Sequence, residues 1–421
     1  MPWVDVAWGI SVMINRIKQY DWKRYNASLL GVVLLLCTIS AFAVRLAGGE
    51  EHGVQYMKGQ IMGICMGLFV IFVLSLLDYH FICQFTGLYY VVGVALVAAT
   101  HTSLGDNNGT DAKRWIRLGG LPTFQPTELM KIILILVLAV VFMKRQTKMY
   151  QMRTLLIGLG LTLIPMALVI KQPDLSSSLV MAFVMVVMLF AAGISYRIVT
   201  PIILLAIPAG LVGFWYIQQP DNKLFPSHNY HYRRIMSWLH PDTYPDAERY
   251  NFQQLRSIRS IASGKIYGKF LQDGGSAKAG RDYSSVAVRE SDFIWSVIGE
   301  EFGFLGCCLI LLLLAIVIFK CFSVARKAQD FLGKMIAVGV ASMYMFQVFI
   351  NIGVTTFIFP NTGLPLPFLS NGLSSMLSSM IGIGLIMNIG IQPAKSSKGG
   401  FSMRNVYGSD ADRSIDMDLE L

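Results

Sequence analysis

Residues 292–319 read DFIWSVIGEEFGFLGCCLILLLLAIVIF. From Phe302 onward the run carries no charge and is long enough to cross a hydrocarbon core of about 30 Å as a helix. Yet Asp292 opens it, and Glu300 and Glu301 stand side by side near its start. Ionised carboxylates are expensive in lipid. The stretch therefore predicts a membrane helix with a polar environment at one end.

The rest of the chain has the same character. Its 421 residues are 54% hydrophobic and 14% charged, with a mean hydropathy of +0.55, far from the composition of a soluble domain. Apolar stretches of spanning length recur at 28–46, 59–77, 81–100, 127–143, 154–170, 177–195, 198–217, 292–319, 335–358 and 370–391. Backbone polar groups in lipid must find partners within their own segment, so these predict an all-α, polytopic protein of about ten transmembrane helices.

Lys and Arg set the expected orientation. They gather before the first span (Arg16, Lys18, Lys23, Arg24), after the fourth (Lys144, Arg145, Lys148, Arg153), after the eighth (Lys320, Arg326, Lys327, Lys334) and in the tail (Lys395, Lys398, Arg404). Both termini are expected inside, with an uncleaved first span as anchor. The net charge of +10 is then largely an inner basic belt facing anionic lipid, with no basic, aromatic-interleaved module of the kind that binds nucleic acid.

Five regions follow. Residues 1–27 form a cytoplasmic amphipathic arm, with Ile10, Met13, Ile14 and Ile17 at helical spacing; 28–217 hold helices one to seven; 218–291 form a large outer loop; 292–393 hold helices eight to ten; and 394–421 are a Ser/Gly-rich, then acidic, disordered tail. The six cysteines lie in or beside apolar runs and suggest neither disulfides nor a metal site, and His228 and His231 lack a third ligand. Asn108-Gly109-Thr110 is an N-glycosylation sequon on the expected outer side.

Polar chemistry meets the membrane in four stretches: AKRWIRLGGLPTFQPTELMK (112–131), KQPDLSSS (171–178), the start of 292–319, and NIGVTTFIFPNTGLPLPFLSNGLSS (351–375). All four fall on the outer side by the charge argument. Pro126 and Thr127 open a helix with Glu128 in its first turn, and Lys131 at i+3 puts a charge pair on a membrane helix that capping alone does not need. Pro173 and Asp174 suit a turn between neighbouring helices. Ser291 or Asp292 can cap the helix that follows, but capping leaves Glu300 and Glu301 unexplained, so they must line a polar cavity, pair with cations or be protonated. The proline-rich loop through Pro360, Pro365 and Pro367 implies non-helical backbone at membrane depth, tolerated only where it is enclosed by protein or lines a cavity.

These four stretches, in this order, resemble the SEDS family of bacterial cell-wall proteins, which includes RodA, FtsW and SpoVE, over residues 20 to 393. The resemblance rests on Arg114-Trp115-Ile116 with Phe124, Gln125, Pro126, Thr127, Glu128 and Lys131; on Gln172-Pro173-Asp174-Leu175; on Ser291-Asp292-Phe293-Ile294 with Glu300, Glu301, Gly303 and Gly306; and on Thr362-Gly363-Leu364, Leu366, Pro367, Phe368 and Ser370. Asp21-Trp22 is similar to the opening of the RodA-like elongation branch. The chain departs from the family at Val288 to Ser291, where a Pro-Glu-x-His-Thr run is common, at Ser176 and Ser177, and at Asn371 to Leu373.

The resemblance implies a peptidoglycan glycosyltransferase of the cytoplasmic membrane that polymerises lipid II into glycan during elongation or division, beside a class B penicillin-binding protein that cross-links it. The family's essential aspartate corresponds to Asp292. Glycan extension by inversion needs a base for the acceptor hydroxyl and positive charge for the departing pyrophosphate. Asp292 is the candidate base. Arg114, Trp115, Gln125, Glu128, Lys131, Ser370 and Ser374 are candidate substrate contacts, and a divalent cation, Mg or Mn, is a candidate helper. Glu300, Glu301, Asp174 and Pro367 are expected to structure the cavity. The competing readings are a lipid II flippase, which would place its charges near the midplane, and a non-catalytic scaffold for a penicillin-binding protein.

Overall fold

A computed structural model describes residues 20–106, 113–117, 123–219, 230–245, 247–273 and 281–392. The amphipathic arm before residue 20, the sequon, His228 and the tail lie outside the described residues.

All ten apolar stretches fall on helices. The first two share α1 (Ala27–Leu76), which breaks at Gly49, and the third is divided between α2 (Tyr79–Gln84) and α3 (Thr86–Ala99). There follow α4 (Pro126–Lys144), α5 (Met152–Lys171), α6 (Leu175–Ala191) and α7 (Tyr196–Ile217), then α8 (Tyr230–Leu239), α9 (Ala247–Ser263) and α10 (Lys269–Gln272). The last three stretches are α11 (Ile294–Lys327), α12 (Phe331–Thr355) and α13 (Leu373–Ile391). Among the described residues, six helices are long and apolar enough to cross a membrane: α1, α4, α5, α11, α12 and α13.

Helix α4 is the centre of the bundle. From Ile132 to Met143 it is apolar all round, and it is buried on nearly every face, with α3, α5, α6, α12 and α13 packed about it. Its direction sets the polarity of the molecule. The helices α4, α6, α11 and α13 all begin, and α12 ends, at one end of the bundle, whereas Arg145, Lys148, Lys327 and Lys334 lie at the other.

The segment 218–291 folds down onto the first end. Helix α9 buries a polar stripe, Asn251, Gln254, Ser257 and Ser260, and leaves Phe252 and Leu255 exposed, the reverse of a soluble amphipathic helix. The physical reason is the end of α12, where carbonyls with spare acceptor capacity take side-chain donors from α9. Gln254 Nε2 donates to Val354 O and to Phe359 O, both at 2.8 Å, and Ser257 Oγ donates to Thr355 O at 2.8 Å.

A second insertion occurs at α11, which breaks at Gly303 (φ +65°, ψ −166°). The two amides released there donate across to the turn after α9, Phe304 N to Lys265 O at 2.9 Å and Leu305 N to Ile266 O at 3.1 Å. Gly268, at φ +77°, makes the approach possible, since a Cβ would stand 2.1 Å from Glu301 O.

Candidate active site

Asp292 lies half-buried where the four polar stretches converge, two residues before α11. The expected cap at Ser291 or Asp292 is corrected: the N-cap of α11 is Phe293, which makes no side-chain cap bond. The Asp292 carboxylate is thus not consumed by the helix end.

Its backbone is fixed from two sides. Asn351, one turn from the end of α12, donates through Nδ2 to Asp292 O at 2.8 Å and to Leu364 O at 2.6 Å. Ser370 Oγ donates to Ser291 O at 2.7 Å and accepts from Leu366 N at 2.7 Å. On the side-chain side stands Gly363, at φ +67°, where a Cβ would lie 3.0 Å from Asp292 Oδ2. Only glycine combines that conformation with that proximity.

Removal from water is the largest influence on the Asp292 carboxyl and pushes it up to about 6; Arg114 and Arg234 draw it down, while Asp174 and Glu290 push it further up. Each of the four neighbours is anchored by a different element. A small antiparallel pair, β1 (Gly105–Asp106) and β2 (Trp115–Ile116), with a bridge from Ile116 to Phe124, orders the strand that carries Arg114. The Arg114 guanidinium donates to Gln172 O at 3.1 Å and to Pro173 O, at the C-terminal end of α5. Arg234 on α8 donates to Asn361 O at 2.7 Å. Asp174 caps α6 by accepting from Ser177 N at 3.1 Å and Ser177 Oγ at 2.8 Å. The backbone of Asn371 donates to Glu290 O at 2.8 Å. The sequence departures at Ser176, Ser177 and Asn371 are thereby part of the frame, with Ser176 Oγ also reaching Thr362 O at 2.9 Å.

Other predicted residues are placed further inside. Glu128 and Lys131 form an ion pair of 2.7 Å with side chains 2% and 1% exposed, sealed within the bundle. Ser378 Oγ donates to Glu128 O at 2.9 Å, and Ser374 Oγ accepts from Gln125 N at 2.9 Å, so both pin the start of α4 to α13. Trp115 is half-buried on β2, and Pro367 is buried in the α12–α13 loop.

Glu300 and Glu301 resolve the puzzle of the opening stretch. Glu300 accepts from Lys269 Nζ at 2.6 Å, Ser260 Oγ at 2.8 Å, Asp282 N at 2.9 Å and Tyr283 N at 2.8 Å. Glu301 receives Arg281 at 2.8 and 3.2 Å. Both carboxylates are fully enclosed, and they hold the segment 260–283 against α11. Among the described residues no three His, Cys, Asp or Glu side chains are grouped to hold a metal, and the oxygens of Glu300 and Glu301 are already taken by cations of the chain.

Asn351 was not singled out by sequence, and Arg234 only as one member of an Arg-rich outer loop offered, with Arg114 and Lys131, for the departing pyrophosphate. Asn351 carried a usable signal, an amide inside an otherwise apolar span. Chemically, the arrangement presents a carboxylate poised near neutrality beside two guanidinium groups, a pairing suited to taking a proton while an anion leaves nearby.

Comparison with known proteins agrees in extent with this architecture. A family model described as "Cell cycle protein", FtsW/RodA/SpoVE, matches residues 22–395. The peptidoglycan glycosyltransferase MrdB of Escherichia coli is 29% identical over 375 residues, covering 89% of this chain and 96% of its own length. A probable peptidoglycan glycosyltransferase FtsW of Trichlorobacter lovleyi is 30% identical over 383 residues, covering 88% of this chain and 94% of its own. Among solved structures, a chain from a study of how a peptidoglycan synthase complex coordinates polymerization and crosslinking superposes with a TM-score of 0.73 at 24% identity, covering 89% of this chain and all of its own. The rod shape determining protein RodA of Thermus thermophilus superposes with a TM-score of 0.62 at 23% identity, covering 89% of this chain and 99% of its own.

Proposed function

The chain belongs to the FtsW/RodA/SpoVE family, and on that premise we propose that it is a multi-pass membrane peptidoglycan glycosyltransferase whose general base is Asp292. The observation that carries this reading is a carboxylate free of helix capping, with Arg114 and Arg234 from separate elements acting on it.

Asp292 accepts the proton of an acceptor sugar hydroxyl as that oxygen attacks the anomeric carbon of the donor. The bond from that carbon to the lipid-linked diphosphate breaks on the opposite side, which inverts the centre without a covalent enzyme intermediate. Arg114 and Arg234 supply positive charge as the diphosphate departs. Asn351, Ser370 and Gly363 hold the carboxylate in place, and a positioned base of this kind contributes a rate factor of about 10²–10⁴. No step here uses a metal ion.

The substrate is lipid II, and the elongating glycan is passed to a class B penicillin-binding protein for cross-linking. A non-catalytic scaffold would have no use for an uncapped carboxylate in the field of two arginines. The test is gel-resolved glycan formation from labelled lipid II by the purified full-length protein, alone and with its cognate penicillin-binding protein. A ladder of glycan products is expected. Unreacted lipid II under both conditions would overturn the assignment.

A further inference from the structure

A groove of about 340 Å³ lies where the end of α9 meets α11, walled by Ala262 and Lys265 on one side and by Gly299, Gly303, Phe304 and Leu311 on the other. Its volume falls within the roughly 300–1,000 Å³ of small-molecule sites. The α11 wall belongs to a membrane-spanning helix, and Phe304 and Leu311 are exposed there together with Leu305, Leu309 and Leu312. Such a surface is suited to contact with lipid, and the groove opens onto it.

Lys265 is the one charge among the groove's lining residues. It is exposed and pairs with no carboxylate among the described residues, whereas its neighbours Lys269 and Arg281 are tied to Glu300 and Glu301. Its depth is fixed by the α11 break, because the carbonyl of Lys265 accepts from Phe304 N, close to where the uncharged run of the span begins. A cation at that level above an apolar slot is complementary to a phosphate above a hydrocarbon chain.

We propose that this groove holds one acyl chain of an anionic phospholipid, with the lipid phosphate on Lys265. The lipid sits between the 260–283 segment and α11, at a site separate from Asp292.

The experiment reconstitutes the full-length protein in phosphatidylcholine nanodiscs containing a trace of phosphatidylglycerol with a photoactivatable acyl chain, followed by peptide mapping of the crosslinks. Label is expected on the peptide spanning 299–311. Lys265→Gln should lower it about fivefold, the factor that one lysine near the surface contributes toward an anionic headgroup. Ala262→Phe, which fills the slot from its exposed edge, should lower it with Lys265 intact. A photoactivatable phosphatidylcholine should label this peptide only weakly. Equal labelling of the wild type and Lys265→Gln, or equal labelling by the two lipids, would overturn the proposal. So would displacement of the label by equimolar undecaprenyl phosphate, which would assign the groove to a polyprenyl chain, or by a co-reconstituted penicillin-binding protein, which would assign it to a partner helix.

Discussion

Asp292 pairs chemical readiness with an energetic cost. A base must be ionised to act, and burial holds this carboxyl near 6, so activity should be present above that pH and lost as the pH falls through it. A pH profile of glycan synthesis should place the acidic limb of kcat/KM near 6, where an unperturbed aspartate would place it near 4. The sign for stability is opposite. Because the folded protein disfavours the ionised form, the penalty is absent below about pH 4 and fully present above about pH 6. Asp292→Asn should therefore be as stable as the wild type or more so at pH 7, by on the order of 1–3 kcal/mol, read as a higher melting temperature that converges with the wild type near pH 4. Asn351→Ala leaves Asp292 O and Leu364 O without their donor and should lower kcat about tenfold while changing KM little, as a positioning residue does. Sequence exposed Asp292 because an acid at the head of an apolar run is conspicuous. The same reading misjudged the cap, since Asp292 and Phe293 compete for one role and only the backbone path decides which lies at the boundary.

Among the elements, α11 shows how the polar segment is secured. Its break at Gly303 turns two backbone amides outward, and the turn after α9 satisfies them. Gly268→Ala would force a Cβ to within 2.1 Å of Glu301 O in a backbone conformation that alanine disfavours. The expected result is a loss of about 1–3 kcal/mol, seen as a lower melting temperature together with faster hydrogen exchange at Phe304 and Leu305. Arg281→Ala strands Glu301 in the interior, and removing one partner of a buried pair costs about 3–5 kcal/mol. The apolar stretches located the helices of the bundle but not α8, α9 and α10, which lie in the segment read as a loop. They could not show that α9 turns its polar face inward, because that orientation depends on carbonyls at the end of α12, supplied by residues about 100 positions later in the chain.

In the whole molecule, the basic connections through Arg145, Lys148, Lys327 and Lys334 lie at the end of the bundle opposite the polar site, and the positive-inside rule assigns that end to the cytoplasm. In a background lacking native cysteines, Arg259→Cys should react with a membrane-impermeant maleimide on intact cells, and Lys148→Cys only after permeabilisation; the reverse pattern would invert the topology. The convergence of the site was legible as four polar stretches on one side of the membrane. What sequence could not supply was distance: that Lys131 is sealed against Glu128, and that Arg234 reaches the loop beside Asp292. The central claim is that one carboxylate carries the chemistry of a membrane glycosyltransferase. Its most direct test is the rate of glycan elongation from labelled lipid II by Asp292→Asn, with a melting curve on the same preparation. A folded variant whose rate falls by about 10²-fold or more is the predicted result. A folded variant that elongates glycan at the wild-type rate would contradict it.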